Sequence, residues 1–380
     1  MRPLVLLSSL ATGGAERVTV SFVRRAHERG VPIALCTLQS RDDGPLAREL
    51  AEAGVPRHDL DAKRLVDPSA LVRYMRLLRR ESIDVVHAHG QDAAVMAWMA
   101  RRLARSRVPY AVTRHVMAET GAFGGARGMI RSRLAGAAFR GADLRVAVSS
   151  AVARAAGDKD TRILRNGSDV ERFDAPDVRA RRDALREALG IPHAARVVVT
   201  VAVLRQGKGH ARLLEAWPRV LEWAPGAVLL LAGDGELMPA LRTLARDLGP
   251  SVRFLGARQD IPELLAASDV ACLPSLSEAL PTSLMEAAAA GLPTVATDAG
   301  GTEDVVLHGE TGLLLPLHDT GGADPDELAR SLALLLNDPD RARAMGETAR
   351  ERARELFTID RQVDETLDAW RELLRSGRRT

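Results

Sequence analysis

A chain of 380 residues is too long for one compact core and long enough for two domains. With 46% hydrophobic and 27% charged residues, its composition is that of a globular protein and excludes a disordered or collagen-like chain. Two cysteines exclude a disulfide framework, and no apolar run approaches the ~20 residues of a membrane helix. These features predict a protein of the cytoplasm.

The formal net charge of +3 hides an uneven distribution of charge. Residues 1–170 hold 28 Lys and Arg against 17 Asp and Glu, whereas the remainder holds 25 against 33. The first half is therefore basic and the second half acidic. Of the 53 basic residues, only Lys63, Lys159 and Lys208 are lysines. A lysine at a motif position stands out against this arginine-rich background.

Short apolar runs alternate with helical patterns along residues 1–170. The predicted strands are 4–9, 32–38, 84–89, 109–113 and 144–148. The predicted helices are 15–29, 68–81, 93–105 and 127–139. Because strands that alternate with helices of this length form βαβ units, we predict an N-terminal Rossmann-like domain over residues 1–170.

The same alternation returns in the second half, where it predicts another Rossmann-like domain over residues 196–357. The predicted strands are 196–203, 227–232, 252–255, 270–274 and 293–297. The predicted helices are 211–222, 237–248, 261–267 and 283–290. Residues 171–195 are charged and contain two prolines, so they predict a linker with one short helix at 179–189. A last helix is expected within residues 358–380. The predicted fold class is α/β, with two doubly wound domains facing an interdomain cleft.

A glycine pair, Gly13 and Gly14, follows the first predicted strand and precedes a helix. Glycines let the backbone approach a ligand, and the free amides at a helix start favour phosphate. The alternative is a turn that needs glycine for a positive φ. A GxGxxG sequence with a later acidic residue is absent, which argues against a dinucleotide-binding oxidoreductase.

The corresponding turn of the second half carries Arg205 and Lys208. Its spacing is not that of a P-loop, which argues against ATP hydrolysis. Both cations follow a predicted strand, where they can neutralise a diphosphate: lysine as a point charge and arginine through bidentate contact. The alternative is a pair of solvated loop cations.

Two glutamates follow the strand predicted at 270–274. Glu278 lies in the loop, and Glu286 lies eight residues later in the next predicted helix. Thr282 or Ser283 is expected to cap that helix. A carboxylate in a first helical turn can simply complement the helix dipole, which is the alternative for Glu286. That alternative leaves Glu278 unexplained.

The Glu278-x7-Glu286 pair resembles the EX7E signature of retaining glycosyltransferases of family 4, which have the GT-B fold. Further segments resemble the same family in the same order: GGAER at 13–17, HAH at 87–89, NG at 166–167, KG at 208–209, AGDG at 232–235 and GETGL at 309–313. The resemblance covers residues from about 4 to about 319. It implies an N-terminal acceptor-binding domain, a C-terminal domain that binds the nucleotide sugar, and a C-terminal helix that returns to the N-terminal domain.

The resemblance also implies a role for each matching charged residue. Glu286 would hold the ribose hydroxyls of the nucleotide, and Glu278 would contact the transferred sugar. Lys208, together with Arg205, would stabilise the departing diphosphate. The family often has its arginine at the position of Val203, two residues before Arg205, so the chain departs from the pattern there.

The remaining implied site residues are uncharged or histidine. His115 matches the histidine that lies beside the donor sugar, whereas we interpret His87 as structural. Backbone groups would also bind the sugar and the phosphates. They belong to the segment Leu280, Pro281, Thr282 and Ser283. Gly13 and Gly14 would complete the donor-binding set.

The implied reaction is retaining transfer of a hexose-like unit from a UDP- or GDP-sugar to a glycan, lipid-linked or small-molecule acceptor. No cofactor or metal is expected, because Lys208, Arg205 and helix amides supply the positive charge that Mg²⁺ would otherwise provide. Two other classes stay open. One is a sugar-nucleotide isomerase or epimerase of the same fold, and the other is a non-catalytic nucleotide-sugar-binding protein.

The basic excess is concentrated in residues 101–140, which hold nine arginines and one acid, Glu119. In helical register, Ile130 and Leu134 form an apolar stripe flanked by arginines. Such a helix suits an anionic membrane, so we predict peripheral contact with the cytoplasmic membrane face. The alternative is a solvated face on a helix that packs against the core. Nucleic acid is not an expected partner, because 3% aromatic residues leave few stacking platforms.

Overall fold

The computed structural model describes residues 1–10, 13–39, 44–117, 126–318 and 321–376, with only the backbone of residues 126 and 127. The chain divides into two compact units. The first comprises Met1–Gly167 together with the segment that begins at Ile359, and the second comprises Ser168–Thr358.

The first unit is built on a parallel sheet. Its described strands are β1 (Pro3–Leu7), β2 (Ala34–Thr37), β3 (Arg57–Asp59), β4 (Val85–His89), β5 (Tyr110–Arg114), β6 (Leu144–Ala147) and β7 (Arg162–Ile163). The strand order is β3-β2-β1-β4-β5-β6-β7. The described helices before residue 168 are α1 (Gly14–Glu28), α2 (Pro45–Glu52), α3 (Pro68–Arg80), α4 (Gln91–Arg102), α5 (Ala126–Arg140) and α6 (Ser150–Ala156).

The second unit repeats this plan around Trp217, which is fully buried. Its described strands are β8 (Val197–Val201), β9 (Val228–Ala232), β10 (Val252–Gly256), β11 (Val270–Leu273), β12 (Thr294–Thr297) and β13 (Gly312–Leu315). They are parallel, in the order β10-β9-β8-β11-β12-β13. The described helices are α7 (Val170–Asp174), α8 (Pro176–Ala180), α9 (Arg182–Ala188), α10 (His210–Trp223), α11 (Met238–Leu244), α12 (Ile261–Ala266), α13 (Thr282–Ala289), α14 (Thr302–Val305), α15 (Pro325–Asn337) and α16 (Pro339–Leu356).

The strands of the first sheet are covered on both faces. Leu4 and Leu6 of β1 contribute to one apolar cluster, and Val5 and Leu7 contribute to another. Successive side chains of a strand point to opposite faces, so both faces of β1 are buried. A strand of this kind reads as a continuous apolar run rather than an alternating one.

The last helix, α17 (Ile359–Ser376), belongs to the first unit. Its Trp370 is fully buried, and the centroid of its indole ring lies 6.0 Å from that of Phe22 in α1. At the surface, Arg25 of α1 donates two hydrogen bonds to the carboxylate of Asp360, at 2.9 and 2.7 Å. Apolar packing and ion pairs therefore both hold α17 against α1.

The strands predicted from sequence are all present, with ends within two residues of the prediction. Three strands, β3, β7 and β13, were not predicted. Residues 171–195 were predicted to be a linker with one short helix, which is wrong. They contain α8, α9 and most of α7, and these helices pack against α12 or α13. Pro176, which suggested a linker, is the first residue of α8, where proline has no amide hydrogen to leave unpaired.

Candidate functional site

The strand order of the second sheet brings two distant loops together. β8 and β11 are neighbours in the sheet, although β9 and β10 separate them along the chain. A reversal of strand order in a doubly wound sheet opens a crevice at the carboxyl ends of the strands, where ligands bind. The loop after β8 carries Lys208, and the loop after β11 carries Glu278.

Lys208 and Glu278 form an ion pair at this crevice, with Lys208 Nζ 2.6 Å from Glu278 Oε1. The two side chains are only 18% and 9% exposed. Because an unpaired buried charge destabilises a protein, each of these partly buried charges needs the other to be stable. The sequence predicted both residues at the ends of strands but did not predict that they pair.

The backbone of Glu278 is held by the turn that follows β12. Its amide donates to the carbonyl of Ala299 at 2.9 Å, and its carbonyl accepts from the amide of Gly301 at 2.8 Å. These bonds form an isolated parallel bridge between Glu278 and Gly300. The carboxylate is therefore presented from a fixed loop.

The loop that carries Lys208 packs closely against the end of β11. Gly209 has φ +74°, and a Cβ atom there would overlap the carbonyl oxygen of Pro274. One residue before Lys208, the carbonyl of Gly207 accepts a hydrogen bond from the amide of Leu276 at 2.8 Å. Glycine at 209 is therefore required both for its left-handed backbone and for the close approach of the two loops.

We expect Gly209→Ala to destabilise the fold by about 2–5 kcal/mol, because it combines left-handed strain with overpacking. Gly207→Ala is the matched control. Gly207 also has a left-handed backbone, at φ +86°, but nothing lies within 4 Å of its added Cβ. Its cost should be about 1–2 kcal/mol, from strain alone. Urea unfolding of both variants checks this, and equal costs would contradict the close approach.

The first turn of α13 lies directly after the Glu278 loop. The prediction that Thr282 or Ser283 caps this helix is wrong, since the helix starts at Thr282 and its N-cap is Pro281, which makes no side-chain cap bond. Neither the Thr282 nor the Ser283 amide bonds to a described residue. The helix start therefore presents amides that could bind an anion. Leu280 is buried, and Pro281 has no amide hydrogen, so the predicted backbone set loses one donor.

Glu286 is the fifth residue of α13 and is partly buried. It therefore lies beyond the first turn, and the alternative that it complements the helix dipole there is wrong. It lies four positions after Thr282, so the two side chains lie on the same helix face, one turn apart. Arg205, by contrast, is exposed and forms no ion pair with a described residue. The structure therefore pairs Lys208, but not Arg205, with Glu278.

In the first unit, Gly13 is the N-cap of α1 and Gly14 is its first residue. Gly13 has φ −128°, and Gly14 is not among the glycines with positive φ. The alternative that this turn needs glycine for a positive φ is therefore wrong. A Cβ at Gly13 would overlap the Glu16 carboxylate, so the glycine leaves room for that side chain.

Three histidines meet at the carboxyl ends of β4 and β5, which are neighbours in the first sheet. His87 and His89 lie on β4, and His115 directly follows β5. His89 Nδ1 lies 2.9 Å from His115 Nε2, and His87 Nε2 lies 2.7 Å from the hydroxyl of Thr113. The sequence did not predict the bond between His89 and His115, because that bond depends on the pairing of β4 with β5.

Burial keeps this histidine cluster uncharged. It lowers the pKa of His87 to about 3 and that of His115 to about 4. Burial, together with the neighbouring rings, also holds the pKa of His89 well below its usual value. In the second unit, burial and then the charge of Lys208 lower the pKa of His210 to about 4.

We expect the free energy of unfolding to fall as the pH drops below about 6.5. Between about pH 6.5 and pH 4, these histidines bind protons in the unfolded chain but stay neutral in the folded chain. Each ring therefore lowers the free energy of unfolding by about 1.4 kcal/mol per pH unit. Above pH 6.5 both states are neutral and this contribution to stability is complete. Denaturant unfolding between pH 7 and pH 5 measures the slope, which His87→Asn should reduce. A flat profile would contradict the burial of neutral rings.

The predicted basic and apolar helix is only partly exposed. Met129 and Ile130 in α5 are 54% and 57% exposed, whereas Leu134 packs against the core. Arg131 forms an ion pair with Asp92 at 2.6 Å. The predicted stripe is therefore divided, with only its N-terminal end facing solvent. The rest of the predicted basic segment includes residues 118–125, which lie outside the described residues.

None of the described helices is long and apolar enough to cross a membrane. Among the described residues, no group of three or more His, Cys, Asp or Glu side chains is placed to hold a metal ion.

The sequence matches two family models and many known proteins. Residues 12–172 match Glycosyltransferase Family 4, and residues 181–352 match Glycosyl transferases group 1. The D-inositol 3-phosphate glycosyltransferase of Saccharomonospora viridis is 32% identical over 93% of this chain and 87% of that protein. The N-acetyl-alpha-D-glucosaminyl L-malate synthase of Bacillus anthracis is 28% identical over 79% of this chain and 77% of that protein.

Solved structures share the same fold over nearly the whole chain. Anabaena HepE in complex with UDP superposes with a TM-score of 0.82 at 24% identity, covering 98% of this chain and all of that one. HepE in complex with UDP-glucose gives 0.79 at 26% identity, covering 97% and 100%. The predicted α/β class and GT-B fold are confirmed. With a Family 4 match in its first half and a group 1 match in its second, the chain belongs to the glycosyltransferases of the GT-B fold.

Proposed function

We propose that the chain is a retaining glycosyltransferase that moves a sugar from a UDP- or GDP-sugar to a glycan, lipid-linked or small-molecule acceptor. The observation that carries this proposal is the ion pair between Lys208 and Glu278, at the switch point of the second sheet. The UDP-glucose held by HepE supports a nucleotide sugar as the donor.

In this proposal, Lys208 stabilises the departing diphosphate. A lysine ammonium has three donors, so the bond to Glu278 leaves two for phosphate oxygens. The amides of Thr282 and Ser283 add the partial positive charge of a helix start. Arg205 adds an exposed cation, and Gly13 and Gly14 complete the donor contacts. Charge of this kind acts where negative charge develops in the transition state.

The glutamates take separate parts. Glu286 accepts hydrogen bonds from the ribose hydroxyls, while Glu278 orients Lys208 and contacts the transferred sugar. Glu278 is not a covalent nucleophile in this scheme, because its carboxylate contacts the hydroxyls of the transferred sugar and not its anomeric carbon. The acceptor oxygen bonds to the anomeric carbon on the face from which the diphosphate leaves. Because the new bond forms on the face that the diphosphate leaves, the anomeric configuration is retained. The acceptor's proton passes to the departing phosphate oxygen.

The reaction proposed here is independent of metal and other cofactors, because Lys208, Arg205 and the α13 amides supply the required positive charge. We also assign His115 to the transferred sugar, following the family resemblance. With a chelator added, the transfer rate should stay unchanged, and a rate restored only by Mg²⁺ would overturn this part of the proposal.

The test is incubation of the full chain with UDP-, GDP- and ADP-sugars. The names of the relatives suggest D-inositol 3-phosphate and L-malate as first acceptors. Release of nucleoside diphosphate that depends on the acceptor supports the proposal, provided that NMR shows the same anomeric configuration in the product as in the donor. An altered sugar still joined to its nucleotide would indicate an isomerase instead. Binding without turnover against a broad acceptor panel would indicate a non-catalytic binder.

We also propose that the first unit contacts a membrane surface through α5. Exposed Met129 and Ile130 adjoin the exposed Arg133, an arrangement that suits an anionic membrane surface. Flotation with phosphatidylcholine vesicles, with and without phosphatidylglycerol, tests this contact. We expect binding only to the anionic vesicles, weakened by salt and by Ile130→Glu. Equal recovery with and without vesicles would overturn it.

A further inference from the structure

His89 joins two neighbours through one ring nitrogen. Its Nδ1 lies 2.9 Å from His115 Nε2 and 3.3 Å from the hydroxyl oxygen of Thr19. Thr19 is fully buried in α1, and its hydroxyl donates to the carbonyl of Ala15 at 2.7 Å. This last bond is the usual one between a helical threonine and the carbonyl four residues earlier.

These distances assign the protons of the two rings. Because Thr19 donates its only hydroxyl proton to Ala15, its oxygen can only accept from His89, so His89 carries its proton on Nδ1. His89 Nδ1 then donates to His115 Nε2. A neutral His115 that accepts at Nε2 must carry its own proton on Nδ1. The reverse assignment would set two lone pairs against each other between His89 and Thr19.

His89 also lines a small cavity that is formed by both polar and apolar side chains. The cavity has a volume of about 10 Å³, the space of about one water molecule. Buried His87 Nδ1 and His89 Nε2 have no hydrogen-bond partner among the described residues, and both rings line it. Asn166 and Gln362 line it as well. One water bound there would donate to His89 Nε2, the bare nitrogen of the assigned tautomer.

The C-terminal helix closes this cavity. Gln362 of α17 accepts a hydrogen bond from the amide of Gly167 at 2.8 Å, which ties the helix to the segment that carries Asn166. The indole of Trp370 meets the His87 ring at a centroid distance of 5.6 Å, edge to face. The histidine cluster therefore packs against α17, which holds it in place.

We propose that His89 is a positioning residue that holds His115 as the neutral Nδ1–H tautomer, so that His115 donates a hydrogen bond to an oxygen of the transferred sugar. Only the contact with the sugar rests on the proposed function. The tautomer is a property of the first unit, and it can be measured without substrate.

The direct test is NMR of the full chain with ¹⁵N-labelled histidine at pH 7. The His115 resonances are identified by their loss in His115→Gln. We expect a protonated Nδ1 and a bare Nε2. A bare Nδ1 in the wild-type chain, or a ring protonated on both nitrogens, would overturn the proposal.

Two variants of His89 separate positioning from packing. His89→Asn can present an amide N–H near the place of Nδ1 and should keep the His115 tautomer, whereas His89→Leu should give a mixture. Leu164→Ala is the packing control, since Leu164 lines the same cavity and its side chain makes no hydrogen bond. It should lower stability and leave the tautomer unchanged. An unchanged tautomer in His89→Leu would overturn the role of His89.

Kinetics tests the contact with the sugar. We expect kcat/KM to fall about tenfold in His89→Leu, the effect of losing one aligned hydrogen bond, and to be largely restored in His89→Asn. A wild-type chain that transfers no sugar would contradict the proposed function, while NMR would still decide the tautomer. Unchanged transfer in a His89→Leu chain that has lost the tautomer would overturn the sugar contact alone.

Discussion

Replacement of Lys208 by alanine is expected to lower turnover about 100- to 1000-fold, the usual cost of removing one group that stabilises developing charge. The ammonium of Lys208 is held by Glu278 at 2.6 Å, so its position is set before the donor binds. Nucleoside diphosphate release at saturating donor measures the effect. Lys159→Ala, which removes an exposed lysine from the first unit, is the matched control.

The same change should also affect stability, because Glu278 would keep a largely buried carboxylate without its partner. The double variant Lys208→Ala/Glu278→Gln removes that uncompensated charge. We expect it to recover part of the lost unfolding free energy while turnover stays low. If turnover recovers with stability, the loss in Lys208→Ala reflects unfolding, and the proposed role of Lys208 is wrong.

Replacement of Glu286 by alanine is expected to weaken donor binding about 10- to 100-fold. A hydrogen bond to a charged group contributes about 1.5–3 kcal/mol, and we assign the ribose hydroxyls to this carboxylate. Titration calorimetry with UDP-glucose and GDP-sugars measures the change. Glu222→Ala, on the exposed face of α10, is the matched control.

A donor that lacks a ribose hydroxyl makes this test specific. The wild-type chain should prefer UDP-glucose over its 2′-deoxyuridine analogue, and Glu286→Ala should lose most of that preference. A preference that survives the substitution would show that another group holds the ribose. Glu286→Gln keeps one acceptor oxygen, so its preference for the ribose donor should lie between those of the wild-type chain and Glu286→Ala.

Local patterns were sufficient for the central strands. β1 and β9 are buried along their whole length, so each appears in the sequence as an uninterrupted apolar run. The strands β3 and β7 lie at the two edges of the first sheet, and their short segments include polar residues. Their extended state depends on pairing with β2 and β6, which a local pattern does not contain.

The segment predicted as a linker shows the same limit. Its charged residues suggested solvent, yet Arg186 of α9 is only 4% exposed. Its guanidinium donates to the carbonyl of Ala267 at 3.0 Å and forms an ion pair with Asp269 at 3.6 Å. A buried arginine is stable only with such partners, and these partners lie about eighty residues away. Composition alone therefore indicated the wrong environment.

The sequence by itself determined the α/β class, the alternation of strands and helices in both halves, and the placement of Lys208 and Glu278 after strands. These follow from hydrophobic periodicity and short spacings, which are local. Only the tertiary structure decided which strand ends are neighbours: β8 beside β11, and β4 beside β5. Those pairings bring Lys208 to Glu278 and His89 to His115, because side chains far apart in the chain meet only where strand order places them at the same edge of a sheet.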